Sequence, residues 1–231
     1  MSNLILNEGY KNNSNLFEKG IKDKIYTKNK SFIDTSNCAG SLLLGHNHRI
    51  FKKAIKEYSK KNFSFFSLPN NHAVKFSKNI KKKFNWFDKI VFCNTGSEAI
   101  TKTLRICKSL NNKKFIVNAT GSWHGSVDQF LFYPDSKLKN NTLSDGLKKE
   151  DKKNLIFIPY NNLEITKKIL NKNKNNINSL FIEPIQGCLP LHNVKEYLKY
   201  LRNFCNKNNI PLVFDEMITG VRSYNFSIQK Y

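Results

Sequence analysis

The sequence predicts an α/β protein built on a mostly parallel sheet with helices on both faces. Three observations carry this. Five short runs, 89–93, 114–118, 155–158, 179–182 and 211–214, are rich in apolar residues. Stretches of helical period lie between most of them, and glycine-bearing polar segments follow several of them directly. Strands covered on both faces read as continuous apolar runs rather than as alternating ones, and helices must do the covering.

The elements follow in order. Residues 1–35 are polar and rich in Asn and Lys, with a short hairpin expected where Ile25-Tyr26-Thr27 is followed by Asn29-Lys30 and Ser31-Phe32-Ile33-Asp34. Gly40–His46 is an apolar run flanked by turn residues. From His48 the period becomes helical, with Ile50, Phe51, Ala54, Ile55 and Tyr58 on one face. A second helix is expected after Pro69, with Val74, Phe76 and Ile80 as its apolar members. Then come a strand over 89–93, a helix over 97–110, a strand over 114–118 and a long polar loop over 134–153. Strand 155–158, helix 163–170, strand 179–182, helix 194–206 and strand 211–214 complete the pattern. The expected organisation is an N-terminal segment, 1–68, and a larger domain, 69–231.

Composition narrows the function. The 231 residues carry 39 basic and 17 acidic side chains, a net charge of +22. Only four of the basic residues are Arg (Arg49, Arg105, Arg202, Arg222). Nucleic-acid sites favour the forked guanidinium of Arg. A chain inflated in Lys, Asn and Ile instead reflects AT-rich codons, and no RRM, KH or helix-turn-helix signature is present. No nucleic-acid partner is expected. No run approaches the ~18 apolar residues of a membrane span, and Met1–Tyr10 has no apolar stretch, so no membrane association is expected. The five cysteines (Cys38, Cys93, Cys107, Cys188, Cys205) form no C-x-x-C pair, and their spacing suits neither a zinc site nor a disulfide framework. They predict a reducing, cytoplasmic setting, with most of them buried as small apolar residues.

Ligands on parallel sheets bind at the carboxyl ends of the strands, so the residues there matter most. After the first strand stands Asn94-Thr95-Gly96-Ser97-Glu98-Ala99. Thr95 and Glu98 have capping-box spacing, so a helix starts here. Its first amides suit an anion, although an ordinary capped helix reads the same way. After the second stands Gly121-Ser122-Trp123-His124-Gly125-Ser126, where Trp123 offers a face for a flat ring, or is simply half-buried beside a satisfied histidine. Glu183-Pro184-Ile185-Gln186-Gly187 follows the fourth strand, and a carboxylate there needs a partner, a lysine being the plain choice. Asp215 follows the fifth directly, in Asp215-Glu216-Met217-Ile218-Thr219-Gly220-Val221-Arg222. A buried Asp calls for a cation, and a protonated ring nitrogen would serve.

These four segments, in this order, resemble the class III aminotransferases, pyridoxal phosphate-dependent enzymes of fold type I. The nearest branch is the glutamate-1-semialdehyde 2,1-aminomutases. Leu44-Gly45-His46-Asn47-His48 is similar to the family's L-G-H-x-H-P segment, with Arg49 in place of the proline. The resemblance runs from about Ile33 to Arg222. It implies that 69–231 is an incomplete cofactor-binding large domain, with pyridoxal 5'-phosphate or pyridoxamine 5'-phosphate as cofactor. Gly96 and Ser97 would hold the phosphate. Trp123 stands where the family has a ring-stacking Tyr, and Met217 where it has a Val on the other ring face. Asp215 would pair with the ring nitrogen, and Glu183 is the family's active-site glutamate. Cys188 falls where the aminomutases carry an Asn reaching the ring oxygen.

The resemblance also implies small-molecule amino donors and acceptors and a homodimeric full-length parent. Leu42, Leu43, Leu44, Phe63, Phe65 and Phe66 are the apolar residues expected at such an interface, or packed under a small domain. The changes at Trp123, Met217 and Cys188 leave the substrate open between glutamate-1-semialdehyde and another amino compound, such as an amino sugar. The family's Schiff-base lysine lies downstream of the D-E-x-x-T-G-x-R motif, beyond Tyr231. Lys230 lacks its context, so no catalytic residue is assigned. The chain is expected to be either part of a longer enzyme or a non-catalytic remnant that binds a cofactor or partner subunit.

Overall fold

The computed structural model describes residues 16–61, 68–85, 87–135, 140–190, 193–222 and 227–230. The chain divides into two compact units, Met1–Ala73 and Val74–Tyr231.

In the first unit, β1 (Lys19–Ile21), β2 (Lys24–Tyr26) and β3 (Ser31–Ile33) form an antiparallel sheet in that order. The hairpin expected over 25–34 is β2 and β3, and β1 adds a third strand. The segment after β3 is held by one carboxylate. Asp34 Oδ1 accepts from the Ser36 amide at 3.0 Å, the Ser36 hydroxyl at 2.7 Å and the Asn37 amide at 3.0 Å. Its Oδ2 lies 2.8 Å from His46 Nε2. The His46 backbone exchanges hydrogen bonds with Lys22, at 2.8 and 2.9 Å. The imidazole lies so close to Gly20 that a Cβ there would collide with it. Between them, Asn37, Cys38, Ala39 and Gly40 all have positive φ. This left-handed geometry costs about 1–2 kcal/mol for each ordinary residue, so the Asp34–His46 closure must enforce it.

Helix α1 (Arg49–Tyr58) begins at His48, whose Nδ1 accepts from the Ile50 amide at 3.3 Å. Its apolar residues Ile50, Phe51, Ile55 and Tyr58 share a face as expected but are exposed. Phe63, Phe65 and Phe66 lie outside the described residues. The division between units falls within α2 (Asn71–Lys83).

The second unit carries the parallel sheet. Its elements are α3 (Gly96–Leu110), β4 (Phe115–Ala119), β5 (Phe132–Pro134), β6 (Asn140–Thr142), α4 (Lys149–Asn154), β7 (Leu155–Ile158), α5 (Leu163–Asn173), β8 (Ile177–Ile182), α6 (Lys195–Lys207) and β9 (Leu212–Phe214). Strand order is β7-β4-β8-β9, with every pairing parallel. Side chains alternate between two cores. Val117, Ala119, Ile158, Leu180 and Ile182 pack with Leu170 of α5 and Leu198, Leu201 and Phe204 of α6. Ile116, Leu155, Phe157 and Phe181 pack with Ile100, Leu104 and Cys107 of α3 and with Phe130. Helices therefore cover both faces, which is why these strands are mostly apolar, with Asn118 of β4 and Asn178 and Ser179 of β8 as buried polar exceptions. Because β7 and β8 flank β4 on opposite sides, the strand order reverses at β4, the place where such sheets bind ligands.

Three expectations are corrected. Residues 89–93 form no strand: they pair with no described strand, and Val91 is 66% exposed. An apolar run becomes a strand only where a neighbour takes its backbone groups. The loop expected over 134–153 contains β6, paired antiparallel with β5, and α4; residues 136–139 lie outside the described residues. Of the five cysteines only Cys107 and Cys205 are buried, because Cys38 and Cys188 sit on loops. Burial pushes the Cys205 thiol up to about 12.

The hydrogen bonds from Ser36, then the one to His46, hold the Asp34 carboxyl at about 2, below its ordinary 3.8. A depressed carboxyl stabilises the fold above its ordinary value and ceases to do so as pH falls through the lowered one. The amide proton shifts of Ser36 and Asn37 should therefore titrate with a midpoint near 2. A midpoint at the ordinary carboxylate value would contradict the closure.

Candidate active site

The site is assembled at the carboxyl ends of β4, β8 and β9 and the amino end of α3. Helix α3 starts as its sequence dictates: Thr95 is the N-cap, and its hydroxyl accepts from the Glu98 amide at 3.1 Å. Glu98 reaches back one residue further than a simple capping box, accepting from the Asn94 amide at 2.9 Å. The Lys102 ammonium, 2.6 Å from Glu98, holds that carboxyl below the usual range. The first amides of a helix have no intrahelical partner, so those of Gly96 and Ser97 face outward as donors at its positive end. The Ser97 hydroxyl accepts from the Ser126 amide at 3.0 Å.

Gly125 makes that approach possible. It has φ +73°, and a Cβ there would collide with Ser97 Oγ. Gly96 serves a second approach: a Cβ there would sit 3.3 Å from three side-chain atoms of Met217. Gly96, Ser97 and Met217 thus meet at one place, with Met217 56% exposed beside them.

Asp215 follows β9 and is only 8% exposed. Its Oδ1 accepts from the Met217 amide at 3.0 Å, and its Oδ2 lies 2.8 Å from His124 Nδ1. A carboxylate only accepts, so His124 Nδ1 carries the proton in this contact. His124 Nε2 lies 3.0 Å from Asn118 Oδ1, and the imidazole packs edge-on against Phe130 and Phe181. Asn118, His124 and Asp215 form one buried chain from mid-strand β4 to the mouth of the sheet. Asn118 Nδ2 is buried without a hydrogen-bond partner among the described residues.

Glu183 has no lysine partner among the described residues. Its Oε1 accepts from the Trp123 amide at 2.7 Å and its Oε2 from the Gly187 amide at 2.9 Å. It is 6% exposed and ties the loop after β4 to the loop after β8. Buried Gln186 doubles the tie, donating to Thr120 O at 2.7 Å and the Ser122 hydroxyl at 3.0 Å. Cys188 Sγ donates to Gly121 O at 3.1 Å. The Tyr160 hydroxyl donates to Pro184 O at 2.9 Å, and burial pushes that phenol up to about 12. Held in this way, the Trp123 ring stands 59% exposed at the mouth.

Of the residues singled out from sequence, Gly96, Ser97, Asp215 and Met217 converge, and Glu183 anchors the backbone of Trp123. Sequence reasoning misses Asn118 and Gln186, and it marks His124 as oddly placed for a core residue without assigning it a role. Two signals existed: Asn118 interrupts an otherwise apolar strand, and His124 sits between glycines at a strand end.

The family profile described as Aminotransferase class-III matches residues 9–223. The glutamate-1-semialdehyde 2,1-aminomutase of Methanocaldococcus jannaschii is 32% identical over 203 residues, 87% of this chain and 47% of that protein. The enzyme of the same name from Nitrosopumilus maritimus is 34% identical over 197 residues, 84% of this chain and 46% of that one. A solved structure described as a transaminase with PLP bound superposes with a TM-score of 0.85 at 21% identity, covering 94% of this chain and 51% of that one. The chain spans about half the length of the curated relatives it matches.

Glu183→Gln tests the loop tie. The amide is nearly isosteric, but its NH2 would face a backbone donor where an acceptor is required. The variant should lose about 1–3 kcal/mol in urea unfolding. Unchanged stability would mean that Glu183 does not hold the two loops together.

Proposed function

The chain belongs to the class III aminotransferases, and on that premise we propose that it supplies the cofactor-binding part of a pyridoxal phosphate-dependent enzyme that transfers amino groups. The observation that carries this reading is Asp215, a buried carboxylate at the switch region of a parallel sheet with acceptor capacity to spare. Oδ1 and Oδ2 each take one donor, and a carboxylate has about four lone-pair sites. A ring N–H fits what is left. The cradle at Gly96 fits an anion, since any side chain there would press on Met217 while the first-turn amides and the Ser97 hydroxyl offer protons.

Gly96 and Ser97 would hold the phosphate. Asp215 would hold a proton at the ring nitrogen, and His124, backed by Asn118, keeps the Asp215 carboxylate turned toward the mouth. Trp123 would offer its ring and Met217 its thioether as apolar contacts for the cofactor ring. Glu183 acts through the Trp123 backbone. The cofactor, when bound, supplies an electron sink for negative charge developing at the substrate carbon. Substrates are small-molecule amino donors and acceptors. The aminomutase names of the relatives favour transfer within one substrate, while Trp123, Met217 and Cys188 leave room for a separate donor and acceptor.

A second reading concerns the 231 residues alone. No lysine here occupies the family's Schiff-base context, so this chain by itself is proposed to bind the cofactor without turnover. Pyridoxamine 5'-phosphate titrated against the chain should bind, and Asp215→Ala should weaken it at least tenfold. Amino transfer from common donors should stay at the buffer level. Equal affinity for the two proteins removes Asp215 from the site, and measurable transfer removes the second reading.

The family reading also proposes a homodimeric parent, supported by the exposed Leu43 and Leu44. At low salt the +22 charge keeps chains apart; raising the salt screens it. Light scattering should show association growing with salt. A monodisperse monomer throughout would count against a buried interface here.

A further inference from the structure

The closure between Asp34 and His46 gathers three side chains of the kinds that ligate borderline-soft metals. A carboxylate oxygen of Asp34, Sγ of Cys38 and a ring nitrogen of His46 all lie within 4.8 Å of one another. None of the three takes part in the site on the parallel sheet. We propose that Asp34, Cys38 and His46 hold a divalent cation of the zinc class, with water in the fourth position.

The donor set selects the ion. Zinc accepts carboxylate, imidazole and thiolate together in a tetrahedron, whereas magnesium and calcium require oxygen ligands. With bonds of about 2.0 Å to oxygen and nitrogen and about 2.3 Å to sulfur, tetrahedral ligands stand roughly 3.3–3.7 Å apart. The 2.8 Å Asp34–His46 contact therefore opens slightly on binding, and Cys38, exposed on its loop, turns inward.

Two of the three ligands are already oriented by outer partners, as metal ligands usually are. Asp34 Oδ1 is occupied by Ser36 and Asn37, which leaves Oδ2 to face the site. His46 is fixed through its backbone to Lys22, and its ring packs against Gly20, with Nε2 directed at Oδ2. The sequence hid this set because D-x3-C-x7-H contains no closely paired ligands. The competing description is a plain carboxylate–imidazole hydrogen bond with Cys38 as a bystander.

Cobalt(II) separates the two. Added to the untagged, metal-free 231-residue chain, it should bind at one equivalent. The expected signature is a thiolate-to-cobalt charge-transfer band in the near ultraviolet with the visible bands of tetrahedral cobalt, all abolished by zinc. Cys38→Ser should remove the charge-transfer band while leaving the far-ultraviolet circular dichroism unchanged. Cys188→Ser should keep the band, and His46→Gln should weaken cobalt binding at least tenfold. Absence of the band at one equivalent, or its survival in Cys38→Ser, overturns the proposal. Because Cys38 is exposed, the Cys38→Ser result stands even if His46→Gln disturbs the fold.

Discussion

Two carboxylates, Glu183 and Asp215, lie buried at the ends of neighbouring parallel strands, and neither has a lysine against it among the described residues. Burying a carboxylate without donors is costly, so the surrounding loops are arranged to supply them. Glu183 draws the amides of Trp123 and Gly187 onto its two oxygens. Asp215 draws in the Met217 amide and His124. The paths of the loops after β4, β8 and β9 all answer to this demand. The exposed Trp123 ring and Met217 thioether stand where they do because their backbones are held from beneath.

The sheet makes the demand possible. β4 lies between β7 and β8, so its following loop emerges where the strand order reverses and is reached from both sides. Tyr160 after β7 and Gln186 after β8 both bond to Thr120 in that loop. Gly125 then brings the same loop against the amino end of α3 so closely that no side chain is possible at that position. The free first-turn amides of α3 and the buried Asp215 carboxylate after β9 are thereby joined through Ser97, Gly125 and Met217.

The unit of the first 73 residues follows the same logic on a smaller scale. Its three strands are too short to bury much, and the face of α1 is exposed. What orders the segment is the Asp34 carboxylate, which collects the Ser36 and Asn37 amides and meets His46. The left-handed run at 37–40 persists because both of its ends are pinned.

The sequence by itself determined the fold class and the strand ends. Apolar runs at 155–158 and 179–182 read as strands because a sheet covered on both faces leaves no alternation to confuse them, and Thr95 marked the start of α3 because its hydroxyl has a local task. Glu183 and Asp215 stood out as carboxylates directly after such runs, and Gly96, Ser97 and Trp123 as members of the glycine-bearing segments that follow 89–93 and 114–118. Only the tertiary structure decided the pairings. Asn118–His124–Asp215, Glu183 with Trp123, and Asp34 with Cys38 and His46 join residues that the chain separates, and no spacing announces them. It also decided that 89–93 forms no strand among the described residues: the run is apolar enough, but a strand is defined by the neighbour that accepts its hydrogen bonds, and that is a property of the fold rather than of five residues.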